Sequence, residues 1–201
     1  MTDSSYPAIS TQKKTGKELF LNGGDGDNKT LYDFWAWAFS DLVSNTERGK
    51  LAVFIVAMAV GSTDGISGSW ESYDLLTLDG IRIEVKTSAY LQSWAQKELS
   101  QIRFGIRPTH AWNSEENIYA DSLQRQADVY VFCVLKHKEQ ETLNPLDLDQ
   151  WEFYTLSTEV LNRGANNQKT ISLYRVVSLG ASKSNFVGLS QAIHRQYALR
   201  G

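Results

Sequence analysis

Cysteine occurs once in this chain, at Cys133, so no intramolecular disulfide can form. The residue lies in the apolar run 129–135, where a small buried core residue is the simpler reading than a catalytic thiol. Histidine is scarce too: His110, His137 and His194 are far apart, and none is placed to join a metal set. There is no surplus of positive charge, since the net charge is -3 and the pI is about 5.6. That excludes a protein basic overall but not a DNA enzyme, because a local basic cleft coexists with an acidic body and a bound metal supplies positive charge. Apolar runs of membrane-spanning length are missing, 51–60 being too short. Residues 1–17 are polar and hold no hydrophobic signal core, so the chain is expected in the cytoplasm with no membrane partner. Internal repeats and low-complexity tracts are absent as well.

What is present suffices for one sizeable core: 201 residues, 42% of them hydrophobic. We expect a flexible arm over 1–17 and a single domain over 18–201. The chain is organised around 72–88, S-Y-D-L-L-T-L-D-G-I-R-I-E-V-K-T-S. Two strand-forming runs, 73–78 and 81–87, flank Asp79-Gly80, a dipeptide that favours the positive backbone angles of a tight turn, so a β-hairpin is predicted. In its second strand Ile81, Ile83 and Val85 alternate with Arg82, Glu84 and Lys86, which puts Glu84 and Lys86 on one face. Asp74 lies near the start of the first strand. A strict two-residue loop would pair Asp74 with Val85 and turn it to the opposite face, so a shared site requires a bulge at Gly80 or a divergence of the strands.

Two carboxylates and a lysine converging there suit phosphodiester hydrolysis. Carboxylate oxygens fit Mg²⁺, or Mn²⁺ in its place, which polarises a phosphoryl oxygen and lowers the pKa of bound water. Lys86 then holds the attacking water or stabilises charge building on the phosphate. The bare pattern is weak, arising on the order of once by chance in a chain this long. The alternative reading makes Arg82, Glu84 and Lys86 the solvated face of a half-buried strand.

Asp74, nine intervening residues and Glu84-Val85-Lys86, with an apolar helix before and a helix-like segment after, resemble the PD-(D/E)XK, or restriction-endonuclease-like, nuclease superfamily. Arg48-Gly49, Tyr73-Asp74-Leu75 and the stretch 84–94 are similar to an uncharacterised bacterial group within it, and the resemblance covers roughly 45–106. It implies a mixed central sheet flanked by helices and makes Asp74 and Glu84 metal ligands, the Val85 carbonyl a third, and Lys86 the catalytic lysine. Tyr73 stands where proline gives the motif its name. Val53 stands in the preceding helix where such nucleases often carry a glutamate facing the metal, leaving Glu47 as the nearby candidate. A polar residue on the helix after the lysine often orders the site; Gln92 and Gln96 are the candidates, plain helix surface being the alternative.

Elsewhere, Leu31, Phe34, Trp35, Ala38, Phe39 and Leu42 mark one face of an amphipathic helix. The run 51–60, capped by Asn45 or Thr46 and ended at Gly61, reads as a central helix covered on several sides. Residues 22–28 form a Gly/Asp loop without the downstream glutamate of a calcium site, and 62–69 a linker into the hairpin, with Glu71 a reserve carboxylate. A short helix over 87–97 and a strand over 100–107 follow, with Arg103 and Arg107 facing either phosphate or solvent. Residues 109–126 read as a long polar loop whose aromatic and amide side chains suit stacking on bases. Strands at 128–135, 151–156 and 169–177, a short helix capped by Ser157 and a last helix near 189–198 complete the pattern. The expected fold is α/β or α+β with a mixed sheet flanked by helices. The expected activity is metal-dependent cutting of nucleic acid, most simply DNA, with a homodimer as the form suited to cutting both strands, against a catalytically degraded relative that binds nucleic acid or a protein.

Overall fold

The computed structural model describes residues 6, 9–22, 28–68, 72–113 and 118–200, the side chains of 111–120 excepted. The expectations for Asp25 and Asp27, for Glu71, and for the side chains of Trp112, Glu115, Glu116 and Tyr119 lie outside the described residues.

Nine short strands and five helices are described in chain order: α1 (Leu31–Phe39), α2 (Asn45–Ala59), β1 (Leu75–Leu76), β2 (Arg82–Ala89), β3 (Arg103–Gly105), β4 (Thr109–Asn113), β5 (Ile118–Gln124), β6 (Val129–Leu135), β7 (Trp151–Ser157), α3 (Thr158–Ala165), β8 (Thr170–Ser172), α4 (Leu173–Ser178), β9 (Ser182–Ser184) and α5 (Phe186–Ala198). A mixed five-stranded sheet runs β1-β2-β6-β7-β9, with β2 and β6 parallel and the other neighbours antiparallel. This is the expected mixed sheet flanked by helices.

Burial follows the period of two. Ile83, Val85 and Ala89 of β2 join Val131 and Cys133 of β6 beneath Ile55 and Val56 of α2 and Leu189 and Ile193 of α5. On the other face Phe132 and Val134 of β6 pack with Leu156 of β7, Leu161 of α3, Phe104 of β3 and Val176 of α4. All seven residues of β6 are buried, as the unbroken apolar run requires, and Cys133 is fully buried. Glu84 and Lys86 stand beside Tyr130 and Phe132 in the parallel register, so β2 turns its polar residues toward this second face.

Several expectations are corrected. The helix over 87–97 does not form: β2 continues to Ala89, whose side chain is buried, and the chain after it is irregular. Gln96 captures the backbone there, accepting from the Gln92 N–H at 2.7 Å and donating to the Tyr90 carbonyl at 3.1 Å, bonds that replace a helical ladder. Residues 109–126 are not one loop, since β4 and β5 pair antiparallel with a register shift between His110 and Trp112. The third strand does alternate as expected, with Ile102, Phe104 and Ile106 buried, but it pairs with β8 outside the main sheet. The strand predicted over 169–177 breaks at Ser172, whose hydroxyl accepts from the Arg175 N–H at 3.2 Å and caps α4.

The helices before the hairpin also differ from expectation. Ser44, not Asn45 or Thr46, caps α2. This helix is not covered all round, because Phe54 is 52% exposed and Met58 also faces outward. Helix α1 has no buried residue, Trp37 is 83% exposed, and Leu42 lies beyond its end. It is held by its capping box, Thr30 with Asp33, and by the preceding strand-like segment, where Leu19 bridges Thr30 and the Tyr32 N–H reaches the Gly16 carbonyl at 2.9 Å. No helix among the described residues is long and apolar enough to cross a membrane.

Candidate active-site cleft

The hairpin turn decides where Asp74 stands. Leu75 pairs with Ile83 and Leu76 with Arg82, and the Thr77 N–H reaches the Ile81 carbonyl at 3.0 Å. The loop is therefore Leu78-Asp79-Gly80, one residue longer than the strict two-residue turn. Gly80 takes φ +88°, the left-handed conformation at which a glycine closes a three-residue hairpin. Thr77 fixes this geometry: its hydroxyl accepts from the Ile81 N–H at 2.8 Å and donates to Asp79 Oδ1 at 2.6 Å. His194 of α5 meets Asp79 Oδ2 at 3.1 Å and ties the turn to the helix layer.

The extra residue shifts the register by one, so Leu75 faces Ile83 and Asp74, just before β1, is not turned to the position opposite Val85 that a two-residue loop would give it; Asp74 does not itself line the cleft described below. Asp74 Oδ2 accepts from the Val85 N–H at 2.8 Å, and the Asp74 N–H donates to the Ile83 carbonyl at 3.0 Å. Glu84 Oε1 is ion-paired with Lys86 Nζ two residues on along the same face. Burial pushes the Glu84 carboxyl above its ordinary range; the Lys86 ammonium opposes that push and the negative charge of Asp74 adds to it. The Tyr130 hydroxyl, buried beside Glu84 on β6, is likewise pushed up by burial and then by the Glu84 charge.

Glu84 and Lys86 line a cleft of about 280 Å³ together with Arg107, Arg125, Gln126 and Tyr130. The alternation that points Glu84 and Lys86 away from the α2 side opens them to this cleft, and the chain after β3 brings Arg107 over them. Arg103 is on β3, exposed and opposite Ser172, and does not line the cleft.

The remaining sequence candidates have other attachments. Glu47 bonds Ser44 at the start of α2, and Val53 packs against the core beneath that helix. Gln92 reaches the buried Arg48 guanidinium at 3.4 Å and the Ala89 carbonyl at 2.9 Å, while Gln96 holds the chain after β2. Neither glutamine lines the cleft. Among the described residues no three His, Cys, Asp or Glu side chains come together in a metal-holding group. Two carboxylates and a lysine are thus what the hairpin supplies.

Sequence reasoning missed Arg125, Gln126 and Tyr130. Arg125 carried one available signal, a basic residue in the short polar stretch that leads into the apolar run that becomes β6. Tyr130 carried none, because within a fully buried strand it reads as core.

Comparison with known proteins adds the family. No curated protein matches the chain. Residues 36–175 match the family model described as bacteriophage T4 endonuclease IV, a span that holds more than half of the chain, the whole hairpin and the arginines of the cleft. The chain belongs to the bacteriophage T4 endonuclease IV family, a family of nucleases.

Proposed function

We propose that the protein hydrolyses phosphodiester bonds in DNA with a divalent metal, Mg²⁺ or Mn²⁺, using Asp74, Glu84 and Lys86 in the manner of PD-(D/E)XK nucleases. The observation that supports the reading is the hydrogen bond from the Val85 N–H to Asp74, which holds that carboxylate next to the Glu84–Lys86 pair, itself in a cleft with further cations.

The donor set fits the ion. Two carboxylates and the Val85 carbonyl are hard oxygen donors, and a Mg²⁺ site needs only one or two protein carboxylates, with water and substrate phosphate filling the shell. Glu47, committed to Ser44, is left out of this set. When bound, the ion supplies Lewis-acid polarisation of the phosphoryl oxygen and a water of lowered pKa.

The chain's own residues do the rest. Before substrate arrives, the Lys86 ammonium pairs with Glu84 and opposes the push of burial toward the neutral carboxyl. Glu84 and Asp74 would hold the ion, and Lys86 would donate to the attacking water or to a phosphoryl oxygen, where a positioned cation offsets the charge of the transition state. The Val85 N–H holds the Asp74 carboxylate in place through one oxygen. Arg107 at the mouth of the cleft meets the backbone phosphates, a contact that positions a strand without reading its sequence. On a duplex, two copies of the chain would each take one strand.

The test is cleavage of supercoiled plasmid and of labelled single strands with Mg²⁺, Mn²⁺ or EDTA, beside Lys86→Ala prepared identically. Metal-dependent cutting lost in the variant supports the reading, and cutting that survives it refutes the role of Lys86.

One observation favours a second reading, a degraded nuclease that only binds nucleic acid or a protein. Val53 packs into the core where a third acidic ligand is expected. That reading expects no cutting and no rise in melting temperature with Mg²⁺ or Mn²⁺, whereas an intact site is stabilised by its ligand.

A further inference from the structure

Among the described residues the buried guanidinium of Arg125 has no ion-pair partner. Its side chain follows β5, and the residue is only 8% exposed. Nε donates to the Ile106 carbonyl at 2.9 Å and Nη1 to Asn162 Oδ1 at 2.6 Å, both neutral partners. Nη2 has no hydrogen-bond partner, and among the described residues no ion pair includes Arg125. Burial accordingly pulls this guanidinium below its ordinary range. A buried charge is costly unless paired, and arginine stays protonated in proteins, so the fold retains an unfilled demand for an anion.

Its position shows which anion fits. Arg125 and Gln126 line the cleft of Glu84 and Lys86 and also a second cleft of about 200 Å³. The first holds Lys86, Arg107 and Arg125 against Glu84; the second holds Arg82, Arg125 and Arg200 against Asp128 and Glu159. In both, cations outnumber carboxylates, and Arg125 is the arginine common to the two. Cations spread over two clefts that share a wall match the repeat of charges on a nucleic acid backbone, whereas a single small anion needs only one of the two clefts.

We infer that Arg125 is a phosphate-binding residue of the nuclease cleft, gripping the substrate backbone where the strand passes from Glu84 and Lys86 toward Arg82 and Arg200. Two of its nitrogens are anchored by Ile106 and Asn162, which orients the fork in advance, so little side-chain entropy is lost when the side chain, which lines both clefts, meets a phosphate oxygen. The inference rests on the nuclease reading for the nature of the strand, but it concerns binding and needs no metal.

The experiment measures binding of a fluorescein-labelled 12-nucleotide single strand in EDTA across a salt series, for the wild type, Arg125→Gln, Arg125→Lys and Asn162→Ala, each with its melting curve. Arg125→Gln should weaken binding about tenfold and lower the slope of log K against log salt by roughly 0.7, the share of one phosphate contact on a single strand. Asn162→Ala removes an anchor but keeps the guanidinium, so its melting temperature should fall while its slope stays at the wild-type value. A merely structural role for Arg125 predicts that both variants move stability together and neither moves the slope, and that outcome overturns the inference. If Arg125→Gln does not fold, Arg125→Lys decides. One ammonium cannot serve Ile106, Asn162 and a phosphate together, so its affinity should fall at least fivefold, and wild-type affinity overturns the proposal. Plasmid cutting with Mg²⁺ in the same preparations separates the two readings. A wild type that cuts while Arg125→Gln keeps the full slope overturns only this inference. Arg125-dependent binding without any cutting overturns only the nuclease reading, and a wild type that neither binds nor cuts overturns both.

Discussion

Asp74 accepts a hydrogen bond of 2.8 Å from the backbone N–H of Val85, the residue between Glu84 and Lys86. The acid from the first arm of the hairpin is thereby clamped to the second, and its separation from Glu84 depends on backbone register more than on side-chain rotamers. The turn that sets the register is thus part of the site.

Gly80→Val should show this coupling. Nothing lies within 4 Å of a Cβ built at Gly80, so the cost is that of φ +88° alone, about 1–2 kcal/mol, measurable by urea unfolding. Inserting one alanine between Leu75 and Leu76 keeps the three-residue loop and moves Asp74 one residue along β2, opposite Val85. A protein that folds but has lost metal-dependent cutting is the expected result, and cutting at the wild-type rate would refute the role of register.

Lys86→Ala should lower metal-dependent cutting by about a hundredfold or more, the scale of losing a positioned electrostatic donor. Its ion pair with Glu84 leaves the lysine side chain 31% exposed, so stability should change by no more than about 1 kcal/mol. Parallel cleavage assays and thermal melts check both halves.

Glu84 makes a pH prediction. Its folded pKa lies above the unfolded 4.5, mainly through burial, so the folded state holds this proton more tightly. The contribution to stability is therefore present at low pH and is lost as pH rises from about 4.5 through the raised value. Glu84→Gln does not titrate. The melting temperature of the metal-free wild type should fall relative to that of Glu84→Gln across this window, and the variant should lose the stabilisation by Mg²⁺ or Mn²⁺. Parallel pH curves for the two proteins would contradict this account.

Asp128 has the opposite sign. Burial disfavours its charge, but the Arg82 side chain and backbone N–H bond it, and Arg200 meets it at 2.6 Å, so its pKa is held below 3.8. Its stabilising contribution is present above 3.8 and is lost as pH falls through the depressed value. Asp128→Asn should cost about 2 kcal/mol at neutral pH, less than a fully buried pair because Arg82 and Arg200 are partly exposed. Denaturant melts at pH 7 and at pH 3 should show the difference narrowing in acid.

Much of the hairpin was legible from residues 72–88, and the limits of that legibility are physical. The alternation of Ile83 and Val85 with Glu84 and Lys86 is a local steric property of an extended chain, so it predicted which residues turn to the core. The need for a bulge at Gly80 also followed from counting pairs, and the positive φ there meets it. Helix 87–97 and strand 169–177 were misread for a common reason. Gln96 bonding Tyr90 and Ser172 capping α4 are side-chain interactions with the backbone that periodicity does not record.

By itself, then, the sequence determined the hairpin, the face shared by Glu84 and Lys86, the buried strand that became β6 and the mixed sheet flanked by helices. These rest on the period of two and on unbroken apolar runs, properties of neighbours along the chain. Only the tertiary structure decided that Arg107 and Arg125 meet Glu84 and Lys86 in one cleft, that β4 pairs with β5, and that α1 leaves Trp37 in solvent. The cleft and the exposure of Trp37 depend on how segments far apart in the chain pack together, and the β4–β5 pairing, though local, joins polar segments without a hydrophobic period to announce it.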